Sequence, residues 1–383
     1  MSSHRSIPNV DRISNLPDSV ICHILSFLPT KQSSATSILS KRWNPLWHSV
    51  FTLDFDDQSF TDFHTFRHFV YSVMLTRDPT LPIRMFHLKC GTSPGCDPHD
   101  INRFVPVAVK KGIENLILDF TGTSHDFLIR LGPTFSSVFN CGRNLVVLKL
   151  KFAIVNVVAQ FDFPLLKTLH LAYVYFFGDH TSDFNKLFVG CPILEDLQIS
   201  NVQFLLSNRC DGGEFKGLSN LVRADISNRC WNMPFSWICN AKFLRVILSK
   251  EQQVHNFHNL TCMELIFGSS WCTKWKWVLE LLEHCPKLQN LTLDEVLHFY
   301  RAEDDWKEPA IVPKCISSQL RTCSLKAHRG RTYELQFAEY IMKNATGMHT
   351  MTISGRRLEH QMLLKLSSCP RGSATCKLSF EFD

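Results

Sequence analysis

Apolar residues recur along most of the chain as a triplet at positions i, i+3 and i+5. The pattern is clearest in FPLLKTLHLAYV (163–174), CPILEDLQISNV (191–202) and CPKLQNLTLDEV (285–296). The last two members of a triplet are two residues apart, so they lie on one face of a strand. The first member lies in the turn that leads into the strand. The pattern therefore predicts a series of short strands, each with one apolar face.

The same triplet recurs from residue 50 to residue 353 with less regularity. Its further members are Val50/Leu53/Phe55, Ile83/Phe86/Leu88, Ile113/Leu116/Leu118, Leu145/Leu148/Leu150, Leu221/Ala224/Ile226, Phe243/Val246/Leu248, Leu260/Met263/Leu265, Leu320/Cys323/Leu325 and Met348/Met351/Ile353. A strand, a turn and a helical return every ~20–30 residues is typical of a leucine-rich repeat. Stacked units of this kind bury the apolar faces that a single unit leaves open. The alternative is an ordinary α/β domain, but no long Val/Ile-rich central strands appear, which favours the solenoid.

Two segments between the predicted strands have helix-like apolar spacing. They are FNKLFVGCP (184–192) and WKWVLELLEHCP (275–286), and both end at a Cys-Pro pair. Proline ends a helix and directs the chain into the next strand. The expected fold class is therefore α/β.

The segment before the first triplet follows a helical pattern. Pro17 and Asp18 predict a helix start, and Pro29 ends that helix after Leu28. A second helix is expected at about 33–39. A third turn is expected around Trp43 and Trp47, with Asn44 or Ser40 as its cap.

The first of these helices carries two apolar stripes. One comprises Val20, Ile24 and Phe27, and the other comprises Ile21, Leu25 and Leu28. This arc is too wide for a helix that buries a single face. We expect one stripe to pack inward against Ile38, Leu39 and Trp43. The other stripe is left for a partner's groove or for the end of the solenoid, and the pattern leaves both possibilities open.

Two segments carry a family resemblance. LPDSVICHILSFLPTKQSSATSILSKRWNPLW (16–47) resembles an F-box, in particular the plant form. PKCISSQLRTCSLKAHRGRTYELQFAEYIMKNATGMHTMTISG (313–355), followed by LSSCPRGSATCKLSF (366–380), resembles the FBD segment that follows leucine-rich repeats in plant F-box proteins. The resemblance implies a three-helix F-box at 10–49, an irregular leucine-rich-repeat solenoid (horseshoe) at 50–308 and an FBD segment at 309–383.

The resemblance also implies a function. In such proteins the F-box docks onto a Skp-type adaptor, which joins a cullin and a RING subunit in an SCF ubiquitin ligase, and the repeats hold the substrate. The adaptor contacts that it implies are Leu16, Pro17, Ile21, Ile24, Leu25, Leu28, Pro29 and Trp43. Trp43 is expected to be a core residue that also shapes the interface.

The sequence departs from the family pattern at three places. Ser34 replaces an apolar residue, Ala35 replaces a basic one, and Pro45 lies where the third helix normally continues. These departures keep a second interpretation open, in which the protein is a non-ligase interaction scaffold with a weakened F-box.

A substrate surface is expected on the strand residues that alternate with the core positions. The candidates are Lys149, Thr168, His170, Asp196, Gln198, Asp225, Asn290 and Thr292. For each of them, plain solvent exposure is the alternative. The basic run KAHRGR (326–331) is a further candidate, for an acidic substrate.

The composition of the chain argues against several classes of protein. The net charge of +6, from 41 basic and 35 acidic side chains, is too mild for a nucleic-acid-binding protein. No apolar run approaches the ~20 residues of a membrane span.

The 15 cysteines contain no C-x-x-C pair, which favours reduced thiols in an intracellular protein of the nucleus and/or cytoplasm. The set Cys90, Cys96 and His99 fits no standard zinc spacing. With no catalytic motif in the chain, we expect a non-catalytic protein without metal or cofactor.

Overall fold

The structure of the chain is a computed structural model. The structure describes residues 13, 15–91, 95–121, 128–132, 135, 138, 142–156, 161–177, 184–204, 217–227, 233–268, 274–295, 306, 308–326, 332–355 and 360–381. The chain divides into two compact units, unit 1 (Met1–Asn156) and unit 2 (Val157–Asp383).

Unit 1 begins with the N-terminal helical segment, defined here as residues 15–50. It contains α1 (Asp18–Leu25), α2 (Thr30–Ala35) and α3 (Trp43–Leu46), with 3-10 turns at Thr36–Ile38 and Trp47–Ser49. Its core consists of Ile21, Leu25, Trp43, Leu46 and Val50. Leu16, Cys22, Leu28 and Trp47 pack around that core and are partly buried.

The helices of this segment differ from the predicted ones in detail. The first helix ends at Leu25 rather than Leu28. The hydroxyl of Ser26 donates to the carbonyl of His23 at 2.6 Å, and such bonds compete with helix continuation. Leu28 precedes a proline, which disfavours helical backbone there. The second helix starts directly after Pro29.

The third helix also corrects the sequence prediction. No side chain caps it, so neither Asn44 nor Ser40 has the predicted role; instead the carbonyl of Ser40 accepts from the Trp43 N–H at 3.1 Å. Pro45 is the third residue of this short helix. At that position a backbone N–H has no intrahelical acceptor, so the proline fits without a kink.

The rest of unit 1 alternates strands and helices. Its strands are β1 (Thr52–Asp56), β2 (Met85–Lys89), β3 (Asn115–Asp119), β4 (Ile129–Leu131) and β5 (Val147–Asn156). They pair in parallel in the order β1-β2-β3-β5, and β4 pairs with β5. The helices are α4 (Phe63–Thr76) and α5 (Pro98–Val109).

Unit 2 repeats the same alternation. Its strands are β6 (Thr168–Phe177), β7 (Asp196–Ser200), β8 (Gln203–Phe204), β9 (Arg223–Ser227), β10 (Phe243–Leu248), β11 (Cys262–Phe267), β12 (Asn290–Glu295), β13 (Thr322–Leu325), β14 (Thr350–Ser354) and β15 (Lys377–Glu381). Its helices are α6 (Phe184–Val189), α7 (Phe235–Ile238), α8 (Lys274–Glu283), α9 (Lys314–Ser318), α10 (Thr332–Asn344) and α11 (His360–Ser367). The strands pair in parallel in chain order, except that β8 pairs only with β6.

The apolar triplets account for most of these strands. In β6 and β7, Leu169 is aligned with Leu197 and Leu171 with Ile199, and all four are at most 1% exposed. The helices predicted at 184–192 and 275–286 are α6 and α8. The mixed α/β class with parallel strands is thus confirmed.

One triplet was assigned in the wrong register. In β10, Leu244 is aligned with Ala224 and Val246 with Ile226. The repeating positions are therefore Ala241, Leu244 and Val246, and the predicted Phe243/Val246/Leu248 triplet is wrong. Apolar residues at 243, 244, 246, 247 and 248 allow either register, and the buried Ala241 was too small to mark the true one.

Two long strands contain a phase shift that the triplets did not indicate. Phe152 in β5 and Tyr173 in β6 take left-handed φ angles of 56° and 54°. Such an angle in a bulky residue interrupts the regular alternation of sides along a strand. Beyond these residues the strands pair with the short strands β4 and β8.

The cysteines of the described residues are free thiols. Burial raises the pKa of Cys191, Cys315 and Cys323 to about 12, so these thiols stay protonated at neutral pH. They pack as small apolar side chains, as the sequence predicts. Among the described residues, none of the helices has the length and hydrophobicity needed to cross a membrane.

Candidate functional site

The N-terminal helical segment buries one apolar set and leaves another in solvent. We call the second set the exposed apolar set. Its members, with exposed fractions, are Val20 (40%), Ile24 (43%), Phe27 (75%), Ile38 (86%) and Leu39 (64%). Isolated exposed apolar residues are common, and five within so short a segment make this part of the chain the candidate for an interaction surface.

The structure divides the predicted adaptor contacts into two groups. Ile24, Pro17 and Pro29 are exposed, and Leu16 and Leu28 are partly buried. Ile21, Leu25 and Trp43 are 0%, 1% and 7% exposed, because they form the core of the segment. In this structure they are core residues rather than surface contacts, which corrects the placement predicted for Ile21 and Leu25.

The opposite correction applies to Ile38 and Leu39. They were expected to pack inward, but they are among the most exposed apolar residues of the segment. They lie in and just after the 3-10 turn at Thr36–Ile38. That turn has about 3.0 residues per turn instead of 3.6, which rotates the side chains away from the face that a continuous α-helix would bury. The sequence did not indicate where the helix would tighten.

A second candidate surface lies on the polar side of the strands of unit 2. We call it the polar strand face: the residues of β6–β14 that alternate with the buried triplet positions. Seven of the predicted substrate contacts lie on it: Thr168, His170, Asp196, Gln198, Asp225, Asn290 and Thr292. Lys149 is the corresponding half-buried residue of β5 in unit 1, where it is aligned with Ile117.

Side chains on this face are linked by hydrogen bonds and ion pairs. Nε2 of His170 lies 2.9 Å from Oδ2 of Asp196. Asp225 Oδ1 lies 3.1 Å from Nη1 of Arg245, whose Nε is 3.5 Å from Glu264 Oε2. Burial alone would lower the pKa of the Arg245 guanidinium, but the carboxylates of Asp225 and Glu264 outweigh it and raise that pKa.

These ion pairs change the assessment of Asp225. It was predicted to contact a substrate, yet it is only 6% exposed and its carboxylate is occupied by Arg245. The more accessible member is Arg223, whose side chain is 47% exposed and whose guanidinium lies 4.0 Å from the centre of the Phe243 ring. Arg223 and Arg245 were not predicted from the sequence. Arg223 alternates with the predicted core residue Ala224, and Arg245 lies beside Asp225 once Leu244 is aligned with Ala224.

Comparison with known proteins identifies the family of this chain. The F-box domain family matches residues 13–53, and the FBD family matches residues 308–353. An FBD-associated F-box protein of Arabidopsis thaliana is 32% identical over 97% of this chain and 100% of its own length. Two F-box/FBD/LRR-repeat proteins of the same plant are 29% and 30% identical, over 99% of this chain and 96% and 95% of their own lengths. The chain belongs to the plant F-box/FBD/LRR-repeat family.

The F-box departures from the family pattern can now be located. Ser34 is partly buried, and its hydroxyl donates to the carbonyl of Lys31 at 2.9 Å. Ala35 is exposed. The buried polar residue is instead Ser33, which is 3% exposed and whose Oγ has no hydrogen-bond partner among the described residues. We therefore expect Ser33, rather than Ser34, to lower the stability of the F-box.

A hydrogen bond between a side chain and the backbone joins the F-box to the first strand. Oγ1 of the buried Thr30 accepts a hydrogen bond of 2.8 Å from the N–H of Asp54 in β1. Arg42 donates from Nε to Asp18 Oδ1 at 2.9 Å, across the start of α1. The Arg42 pair is exposed and contributes little. Thr30 is the contact that fixes α2 against the strand.

The part of the FBD match that the structure describes continues the strand pattern. It contains α9, β13, α10 and β14. Cys323 and Leu325 of β13 are aligned with Leu291 and Leu293 of β12. The FBD segment thus adds strands to the same parallel ladder in unit 2.

Proposed function

We propose that the protein is the substrate-recognition subunit of an SCF-type ubiquitin ligase. In this proposal the F-box docks a Skp-type adaptor, and the repeats bind a protein that is to be ubiquitinated. The observation that carries it is the exposed apolar set, which lies on an F-box whose own core is already complete without it. The site of action would be the nucleus and/or the cytoplasm.

The proposed adaptor surface combines sequence and structure. We retain Leu16, Pro17, Ile24, Leu28 and Pro29 as contacts and add Phe27, which is 75% exposed. Burying a large apolar side chain stabilises a complex by about 1.5–3 kcal/mol, and a few such residues at the centre of an interface carry most of its affinity. Ile21, Leu25 and Trp43 would act indirectly, by holding α1 in place.

The proposed architecture is a leucine-rich-repeat solenoid at 50–308 that the FBD segment at 309–383 continues, after the F-box at 10–49. Parallel strands aligned at their apolar positions support this arrangement. The polar strand face would contact the substrate. Holding a substrate near a charged ubiquitin-conjugating enzyme raises its effective concentration, so the protein itself needs no catalytic group.

The proposal is tested by calorimetric titration of the full chain with a purified Skp-type adaptor. Ile24→Asp and Phe27→Asp place a charge in the proposed interface, so each should weaken binding by about tenfold or more. The matched control is Leu75→Asp on α4, which is equally apolar and 81% exposed. Circular dichroism melts show whether each variant remains folded.

The result that contradicts the proposal is a folded wild-type chain that does not bind the adaptor. In that case the second interpretation, a non-ligase scaffold with a weakened F-box, becomes the better one. The unpaired Ser33 hydroxyl favours this alternative because it lowers the stability of α2. Equal loss of binding in the Leu75→Asp control would also count against the proposed surface.

A further inference from the structure

Two histidines lie one helical turn apart on the exposed side of α4. Nε2 of His64 is 3.1 Å from Nε2 of His68, and their ring centroids are 4.3 Å apart with an interplanar angle of 69°. Residues at i and i+4 of a helix are neighbours on its surface. The two nitrogens are within hydrogen-bonding distance of each other, so both lie over the same part of the helix surface.

This spacing matches two ligands of one metal ion. Imidazole nitrogen binds zinc at 2.0–2.1 Å, so two nitrogens on the same ion at angles between square and tetrahedral are about 2.9–3.4 Å apart. The observed 3.1 Å lies inside that interval.

The helix holds the pair in place. Phe63 and Phe66, on the opposite side of α4, are 4% and 0% exposed. At the start of the helix, Asp62 Oδ1 accepts from the N–H of Thr65 at 2.8 Å. A ligand pair on an anchored helix loses little conformational freedom on binding, which favours binding.

We propose that His64 and His68 form a binding site for a divalent transition-metal ion, with Cu(II) bound more tightly than Zn(II). Imidazole suits both ions, and affinities for a given nitrogen site rise to Cu(II). Among the described residues, no group of three or more His, Cys, Asp or Glu side chains is placed to hold a metal ion. The Asp62 carboxylate is already engaged by Thr61 and Thr65. Water completes the coordination, and the site is independent of adaptor binding.

The test is a calorimetric titration of the full chain with Cu(II), and separately with Zn(II). Because the chain has 17 histidines, single variants are needed to locate the site. His64→Gln and His68→Gln each remove one ligand and should lower the affinity of the tightest Cu(II) site by about tenfold or more. The matched control, His258→Gln, changes an exposed histidine elsewhere and should leave that affinity unchanged.

Electron paramagnetic resonance of the Cu(II) complex supplies a second readout. Two coordinated nitrogens should appear in the wild-type spectrum and one in each single variant. Unchanged affinity in His64→Gln and His68→Gln, or an equal loss in His258→Gln, overturns the proposal. Thermal melts without metal check that the variants fold. Both side chains are exposed, so we expect their replacement to leave the core intact.

Discussion

At the residue scale, the charged side chains that matter most for stability are the buried ones. Lys274 and Glu295 have side chains only 5% and 7% exposed, and Lys274 Nζ lies 3.7 Å from Glu295 Oε2. The same ammonium is 4.8 Å from the centre of the Trp275 ring and 5.1 Å from that of Phe267. We expect the two charges to stabilise each other, because removing one member of a buried ion pair is strongly destabilising.

This dependence gives a stability prediction. Lys274→Met should lower the free energy of unfolding by about 3–5 kcal/mol, because it removes a cation from beside the buried Glu295 carboxylate. The double variant Lys274→Met/Glu295→Leu removes both charges and should recover most of that loss. Urea unfolding of the two single variants and the double variant measures the coupling. Lys287→Met, at an exposed lysine, is the control and should stay within about 0.5 kcal/mol of wild type. Additive single effects would contradict the coupling.

At the element scale, α2 carries two of the three departures of the F-box from its family pattern, Ser34 and Ala35. In the part of the chain that the structure describes, the buried Ser33 hydroxyl has no partner, whereas the neighbouring Ser34 hydroxyl donates to the Lys31 carbonyl. A buried hydroxyl without a hydrogen bond costs about 1–3 kcal/mol. Family comparison pointed to Ser34 because it compares residue types, and the direction in which α2 turns the two serines is decided by packing.

We therefore expect Ser33→Ala to stabilise the protein. It removes the unpaired hydroxyl, keeps the small volume and improves helix propensity, so the free energy of unfolding should rise by about 1 kcal/mol. Ser34→Ala, in the same helix, loses a hydrogen bond and should give no comparable gain. Urea unfolding of the full chain compares the two. A loss of stability in Ser33→Ala would mean that the hydroxyl has a partner, such as an ordered water.

The individual strands also differ in how well the sequence predicts them. Strands are predictable where the apolar pair is flanked by polar residues, as at Leu291 and Leu293, because only one register buries both. β10 is ambiguous because its apolar residues are nearly continuous. The last strand, β15, was missed as a repeat because Thr375 stands where the other triplets begin with an apolar residue.

The candidate sites were less predictable than the strands. The apolar stripes of α1 were recognised, but which stripe is buried depends on where Trp43 and Leu46 pack. The exposure of Ile38 follows from a tightened turn that residue types do not specify. The His64–His68 pair was not singled out from the sequence, although its i, i+4 spacing was visible there.

At the scale of the whole molecule, unit 2 is a ladder in which a strand contacts mainly its two neighbours. Stability in such an array is approximately a sum of contributions from each repeat and its interfaces. Among the described residues, β15 pairs with β14 alone. Its Leu378 and Phe380 are partly exposed, whereas Met351 and Ile353, their partners in β14, are 0% exposed. The ladder should therefore weaken toward β15.

Two leucines at the same repeat position test this gradient. Leu291 in β12 is 1% exposed and has strands on both sides, whereas Leu378 in β15 has one. Leu291→Ala should cost about 2–5 kcal/mol, because it removes buried methyl groups and leaves a cavity. Leu378→Ala should cost clearly less, since solvent already reaches the site. Amide hydrogen exchange should show the same order, with faster exchange in β15 than in β12. Equal costs would contradict the expected weakening of the ladder toward β15.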